Sequence, residues 1–223
     1  KDISLEVKSS EFCVIFGPSG CGKSTLLHTI LGLEAPSKGT CIFLSKNLYD
    51  GMDEDQRSDF RKNHVGMVYQ QPNWIKSLTV LENMAFPLIL MGKPKAEYLE
   101  KAEEILKAVA MSDWVSYAPT ELSSGQQQKI ALARALVTSP EVIIADEPTG
   151  NLDFESGQEL MQLLVKLNKE QEKTILMVTH DLEYLKFAKT VVRMFNGTIV
   201  EEYDEKNKEK LMQEIKGKRG NGT

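Results

Sequence analysis

The chain has 223 residues, is 41% hydrophobic and carries a net charge of −5 with 26% charged residues. That is enough apolar material for a full core and the wrong sign for a nucleic-acid surface, whose usual footprint is basic. Its three cysteines (Cys13, Cys21, Cys41) have neither metal-ligand nor disulfide-framework spacing, which favours a reducing compartment; the longest apolar stretch, Met84 to Met91, is far below the ~20 residues that span a bilayer.

In chain order, Ile3, Leu5 and Val7 alternate and predict a half-buried strand. Phe12–Phe16 reads as a buried strand that runs into Gly17-Pro-Ser-Gly-Cys-Gly-Lys-Ser-Thr25 and then an apolar helix from Leu26 to Leu31. This is G-x-x-x-x-G-K-[ST] in its required strand–loop–helix setting. Gly17, Gly20 and Gly22 let the backbone wrap phosphate oxygens, because no Cβ blocks the approach. The amides of residues 20 to 25 then point at the anion, aided by the helix dipole, with Ser19, Cys21 and Thr25 in the same cradle. Lys23 would bridge the β- and γ-phosphates, and Ser24 would offer its hydroxyl to Mg²⁺. A dinucleotide fingerprint is excluded, since G-x-G-x-x-G needs glycine where Thr25 stands. The pattern predicts a nucleoside-triphosphate site. Cys21 reads as a small residue in a tight loop, with alkylation sensitivity as the other reading.

Residues 40–44 and 65–69 predict further strands, separated by an acidic-basic helix around Asp53 to Lys62. Gln70 ends the second of these strands. From Gln71 to about Ser139 the texture turns helical: Thr79 caps one helix, Pro94 begins another, and Ser123 begins a third carrying Ile130, Leu132, Ala133, Leu136 and Val137 at helical spacing. Between Leu78 and Met91 there are more apolar side chains than one helical face buries. Either the insert packs them internally or some line a partner's groove; Trp74, just ahead, fits either role. The start Ser123-Ser124-Gly125 offers a hydroxyl and free amides, a second anion-binding device in one chain.

The run Val142-Ile-Ile-Ala-Asp-Glu147 is a buried strand that ends in two carboxylates. Ligands sit at the C-terminal ends of such strands, and a magnesium-bound polyphosphate would relieve their repulsion. Asp146 can then hold the metal through water and Glu147 can serve as base toward the attacking water. Asp153 opens a helix over 154–170 and reads as its N-cap. His180 follows the strand 174–179, placed beside the one ending in Asp146, where an imidazole can reach the γ-phosphate and orient the water of Glu147. His28 and His64 lack such context and read as structural. Asn196-Gly197 marks a hairpin between 190–195 and 198–200. Beyond Asp204 the chain is charge-rich, with fraying expected over 217–223.

Taken together, the phosphate loop, Gln70, Leu122-Ser-Ser-Gly-Gln126, the acidic strand end, Asn151-Leu-Asp153 and His180 resemble, in type and order, the ATP-binding subunit of ATP-binding-cassette (ABC) transporters. Tyr69-Gln-Gln71 and Glu147-Pro-Thr-Gly-Asn-Leu-Asp153 look most like the lipoprotein-release, macrolide-export and cell-division branch. The resemblance implies an α/β fold: a P-loop NTPase (RecA-like) core over 1–70 and 140–203, a helical signature subdomain over 71–139, and a charged tail over 204–223. It implies that ATP and Mg²⁺ are bound, with Ser24, Gln70 and Asp146 on the metal and Glu147, His180 and Gln70 around the reaction. Ser123, Gly125 and Gln126 would close on the ATP of a second ATP-binding subunit, in a homo- or heterodimer, and Asp153 would add a contact across it. Transmembrane permease subunits would be the further partners, at the cytoplasmic face of the cell membrane. The same residues would equally serve a nucleotide-switched regulator that moves no solute. Two departures stand out. Ser124 replaces the family's usual glycine, which implies a retuned signature. The family's adenine-stacking aromatic falls before Lys1, which implies a longer native chain.

Overall fold

The computed structural model describes residues 2–209 together with 211 and 213. The first strand, β1 (Phe12–Phe16), is buried along its whole length. The phosphate loop follows and opens α1 (Lys23–Ile30). Next come a short antiparallel pair, β2 (Ile42–Phe43) and β3 (Lys46–Asn47), then α2 (Glu54–His64) and β4 (Val65–Tyr69). The helical insert consists of α3 (Val80–Leu90), α4 (Lys95–Ala108) and α5 (Ser124–Leu136). The chain then returns through β5 (Val142–Asp146), α6 (Phe154–Gln171), β6 (Thr174–Thr179), β7 (Thr190–Phe195) and β8 (Thr198–Tyr203).

The helix starts follow from local chemistry. Thr79 and Ser123 each cap their helix in a reciprocal box with Glu82 and Gln126, and Asp53 does so with Gln56, which satisfies orphan amide donors of the first turn. Pro94 supplies an extended backbone at the entry to α4. At Asn196 and Gly197 both φ angles are positive (48° and 78°), the turn that matches strand twist; β8 then runs on to Tyr203, beyond the predicted end.

Two predicted strands differ. Ile3, Leu5 and Val7 do alternate, half-buried against exposed neighbours, but among the described residues no strand pairs with them. Period-two burial makes an extended segment; only a hydrogen-bonding neighbour makes it a strand. The segment 40–44 shortens to Ile42–Phe43 because Leu44 and Ser45, both at positive φ (46° and 65°), turn the chain back. Neither is the glycine or asparagine that announces such a turn. The fraying expected over 217–223 lies outside the described residues.

Among the described residues, six strands form one sheet in the order β4-β5-β6-β1-β7-β8. All neighbours are parallel except β7 and β8. Alternation sends successive side chains to opposite faces. Phe12, Val14 and Phe16 join a core under α5 and α6, while Cys13 and Ile15 join one under α1. Burial, then the nearby charges of Glu11 and Glu202, pushes the Cys13 thiol up to about 12, so it stays a protonated core residue. A third cluster fills the insert, with Val80, Met84, Ala85 and Leu88 buried inside it. The apolar excess of α3 therefore divides: this face packs internally, and Leu90 is left 63% exposed beside Ile89.

Helix α5 belongs to two cores at once. Ala131, Leu132, Ala135 and Leu136 face the sheet, and Ile130, Ala133 and Val137 face the insert. Gly66 makes the close approach possible: a Cβ there would stand 2.3 Å from the Ala135 carbonyl oxygen. Sheet and insert thus meet through the signature helix.

Candidate active site

Because β1, β4, β5 and β6 run parallel, their C-terminal ends emerge on one edge of the sheet. They deliver, respectively, the phosphate loop, Gln70, the Asp146–Glu147 pair and His180 to that edge. This is where an open parallel sheet binds its ligand.

The phosphate loop is built tightly at its root and openly at its crown. A Cβ on Gly17 would lie 2.3 Å from the Met194 carbonyl oxygen, so only glycine fits, whereas a Cβ on Gly20 would meet nothing within 4 Å. Gly20 and Gly22 have φ of 77° and 103°, angles that glycine adopts without strain. The Cys21 side chain is buried in the core under α1, and its carbonyl accepts the Gly197 amide. Only its backbone is left for a ligand. Ser19, Ser24 and Thr25 are exposed around the loop.

Lys23 is 6% exposed, and its ammonium donates to the carbonyls of Gly17 (2.9 Å) and Pro18 (3.2 Å). Glu147 Oε1 lies 3.9 Å from the same nitrogen, and its Oε2 lies 2.8 Å from His180 Nδ1. The carboxylate is thus held between a lysine from β1's loop and a histidine from β6's end. Its backbone is just as constrained. The Glu147 amide donates to Val178 of β6, the Gly150 amide donates back to Glu147, and Glu147 takes φ of 46°. A left-handed glutamate costs about 1–2 kcal/mol, and such strain concentrates where function dictates side-chain direction.

Asp146 has the complementary electrostatics. Burial and then the neighbouring Glu147 raise its pKa, against the opposing charges of His28 and Lys23. His28, which the sequence reading left as structural, is therefore part of the site's field. A raised pKa means that the folded state disfavours the ionised form. The stability it contributes is present at low pH and lost as pH rises through the carboxyl's raised range. Without nucleotide or metal, Asp146→Asn is expected to melt higher than wild type, with a difference that grows from acid toward neutral pH; the same variant is expected to lose Mg²⁺-dependent turnover. Parallel thermal melts and phosphate-release assays check both halves.

Gln70 lies against the Glu147 turn. A Cβ on Gly150 would stand 2.6 Å from Gln70 Nε2, and the Gln70 backbone carbonyl accepts the Asn151 side-chain amide at 3.4 Å. Asn151 is thus a partner that the sequence analysis names only within Asn151-Leu-Asp153, with no role of its own.

Ser123, Gly125, Gln126 and Asp153 gather at a second place, where α5 and α6 begin side by side. Ser123 accepts from the Gln126 amide at 3.3 Å, and its own amide donates to Gln126 Oε1 at 2.9 Å. The Asp153 carboxylate caps α6 by accepting the Ser156 amide and hydroxyl, both at 2.9 Å, and these bonds lower its pKa. A Cβ on Gly125 would be 2.6 Å from Ser156 Oγ, so this glycine is what lets the two helix starts meet. Ser124 is exposed and lines a groove with Gln70, Trp74 and Gln127. Position 124 therefore tolerates a side chain where position 125 does not.

This geometry defines a P-loop nucleoside triphosphatase with a helical insert. Residues 1–150 match the family model described as ABC transporter. An uncharacterized ABC transporter ATP-binding protein of Methanocaldococcus jannaschii, MJ1508, is 43% identical over 201 residues, covering 90% of this chain and 89% of that one. The lipoprotein-releasing system ATP-binding protein LolD of Colwellia psychrerythraea is 36% identical over 198 residues, covering 89% and 76%. Among solved structures, the dimeric post-hydrolysis state of the M. jannaschii cassette MJ0796 with ADP and Pi superposes with a TM-score of 0.84 at 38% identity, covering 92% of this chain and 89% of that one. The chain belongs to the ABC transporter family as an ATP-binding, ATP-hydrolysing subunit. Among the described residues, no helix is long and apolar enough to cross a membrane.

Proposed function

We propose that two such subunits close around ATP and Mg²⁺, each phosphate loop covered by the Ser123 end of the other's α5, and that the cycle drives a transmembrane permease. The observation that carries this reading is the Gln128 side chain. It is buried and donates to the Tyr69 carbonyl at 2.8 Å, which fastens α5 to the end of β4. In the sheet order, β5 and β6 stand between β4 and β1, so α5 is anchored at a different strand end from the one that carries the phosphate loop. A chain with two anion-binding helix starts set on separate strand ends is suited to sharing one ligand between two copies.

The residues present fit a magnesium nucleotide: a buried ammonium held, among the described residues, by its own loop and Glu147, an open backbone cradle at Gly20, and a carboxylate whose ionisation is disfavoured without a cation. Ser24, Gln70 and Asp146 would hold Mg²⁺, which neutralises phosphate charge and polarises phosphoryl oxygens when bound. Lys23 and the loop amides orient the triphosphate; Glu147 accepts the proton of the attacking water, and His180 fixes that carboxylate. Exposed Ile89 and Leu90 on α3 suit contact with a permease at the cytoplasmic membrane face. The likeness to LolD supports extraction or export of a lipidated or hydrophobic polypeptide as cargo. ATP hydrolysis measured against protein concentration tests the shared site: the rate is expected to rise more steeply than first order. A strictly first-order rate would place the complete site in one chain.

A further inference from the structure

The segment after Gln70 is tied down at Pro72, Trp74, Ile75 and Leu78, and Trp74 is the centre of the ties. Its ring is partly buried between the sheet core and the insert core and packs on both. Its indole N–H donates to Gln127 Oε1 at 2.9 Å, and the Arg134 guanidinium lies 4.5 Å over the ring. Both partners sit on α5. Arg134 also donates to the Pro72 carbonyl, which holds this strap of chain just after Gln70, and Gln127 Nε2 donates to the Leu122 carbonyl at 2.9 Å, directly before Ser123 at the start of α5. Beyond the tryptophan, buried Asn83 accepts the Ile75 amide and donates to the Ile75 carbonyl. A guanidinium stacked on indole and an indole N–H bonded to an amide are directional contacts, so they fix orientation as well as proximity.

We propose that Trp74 is a positioning residue: clamped by Arg134 and Gln127, it makes the Gln70 strap and the Ser123 end of α5 one rigid body. A displacement of Gln70 at the nucleotide is thereby delivered to the signature end, which serves the neighbouring copy's site. This rests on the shared-site reading above. It gives a local reason for tryptophan here: the side chain must fill the seam between two cores and still present an N–H to α5.

Trp74→Ala is expected to leave ATP affinity within about twofold while kcat falls by about 10- to 100-fold, the scale of a misplaced catalytic group. Trp74→Phe, which keeps the ring and loses the N–H, is expected to recover part of kcat. The chain has two tryptophans, so Trp114→Phe leaves Trp74 as the sole reporter. Its emission is expected to shift on adding Mg·ATP and to stay unshifted when Gln70→Ala is added. Equal losses of binding, kcat and melting temperature in Trp74→Ala, with no nucleotide-linked emission change, would reduce Trp74 to packing. Wild-type kcat in a stable Trp74→Ala protein would also overturn the proposal. If the parent protein itself hydrolyses ATP at a strictly first-order rate, the shared-site reading has failed instead, and the emission response still decides whether Trp74 follows Gln70.

Discussion

Glu147→Gln is expected to lower ATP turnover by roughly 10²- to 10⁴-fold, the contribution of a positioned general base, while nucleotide binding persists and an ATP-bound dimer accumulates. The substitution is close to isosteric, and the position is fixed by its backbone: the amide is held by Val178, the carbonyl by Gly150. The fold should therefore survive. What is lost is the proton acceptor, because an amide cannot take a proton from water at neutral pH. A negative charge is lost as well, next to Asp146 and 3.9 Å from Lys23. Removing it lessens repulsion toward an incoming polyphosphate, so ATP is expected to bind at least as tightly as before. Steady-state phosphate release measures the first effect, and sedimentation with ATP measures the trapped dimer. Turnover that stays near the wild-type rate would remove Glu147 from the base's role and leave its left-handed backbone without a catalytic explanation.

The legible parts of this molecule are those whose chemistry is local in the chain. The phosphate loop announces itself because glycines, lysine and serine must stand at fixed offsets between strand and helix. The caps at Thr79 and Ser123 are equally visible, since each box closes within three residues. The pairing of Glu147 with His180 was inferable from two buried strands, and β5 and β6 are indeed neighbours. Contacts between distant segments carry no such mark. Nothing periodic in the sequence brings Trp74 to Gln127 and Arg134, or Gly125 against Ser156. His28 read as structural because its helix gives no hint that it stands near enough to Asp146 to oppose its raised pKa. The N-terminal alternation failed in a different way: it reports which side chains are covered and is silent on whether a neighbouring backbone is there to pair.

Lys23→Ala is expected to weaken ATP binding by at least about 100-fold, since each hydrogen bond from an ammonium to a charged oxygen is worth about 1.5–3 kcal/mol and the residue is placed to make more than one. Its present bonds explain why it is ready for that task. The ammonium is buried yet held, among the described residues, by two carbonyls of its own loop, at 2.9 and 3.2 Å, and by a longer approach to Glu147. Neutral carbonyls compensate a buried charge poorly, so a polyphosphate arriving at the loop gains a partner that is already desolvated and aimed. Arginine is not expected to rescue the loss. Its planar fork cannot occupy a space shaped for a compact ammonium between two carbonyls. Stability is expected to move less than affinity, because deleting the lysine takes a donor from the Gly17 carbonyl, while the Pro18 carbonyl keeps the Cys21 amide, and also removes the cost of burying a charge. The two terms oppose each other in the folded protein, whereas nothing opposes the loss of phosphate contacts. Equilibrium ATP titration beside a thermal melt separates them. A variant that melts like wild type and binds ATP nearly as well would assign triphosphate recognition to the loop amides and the α1 dipole alone.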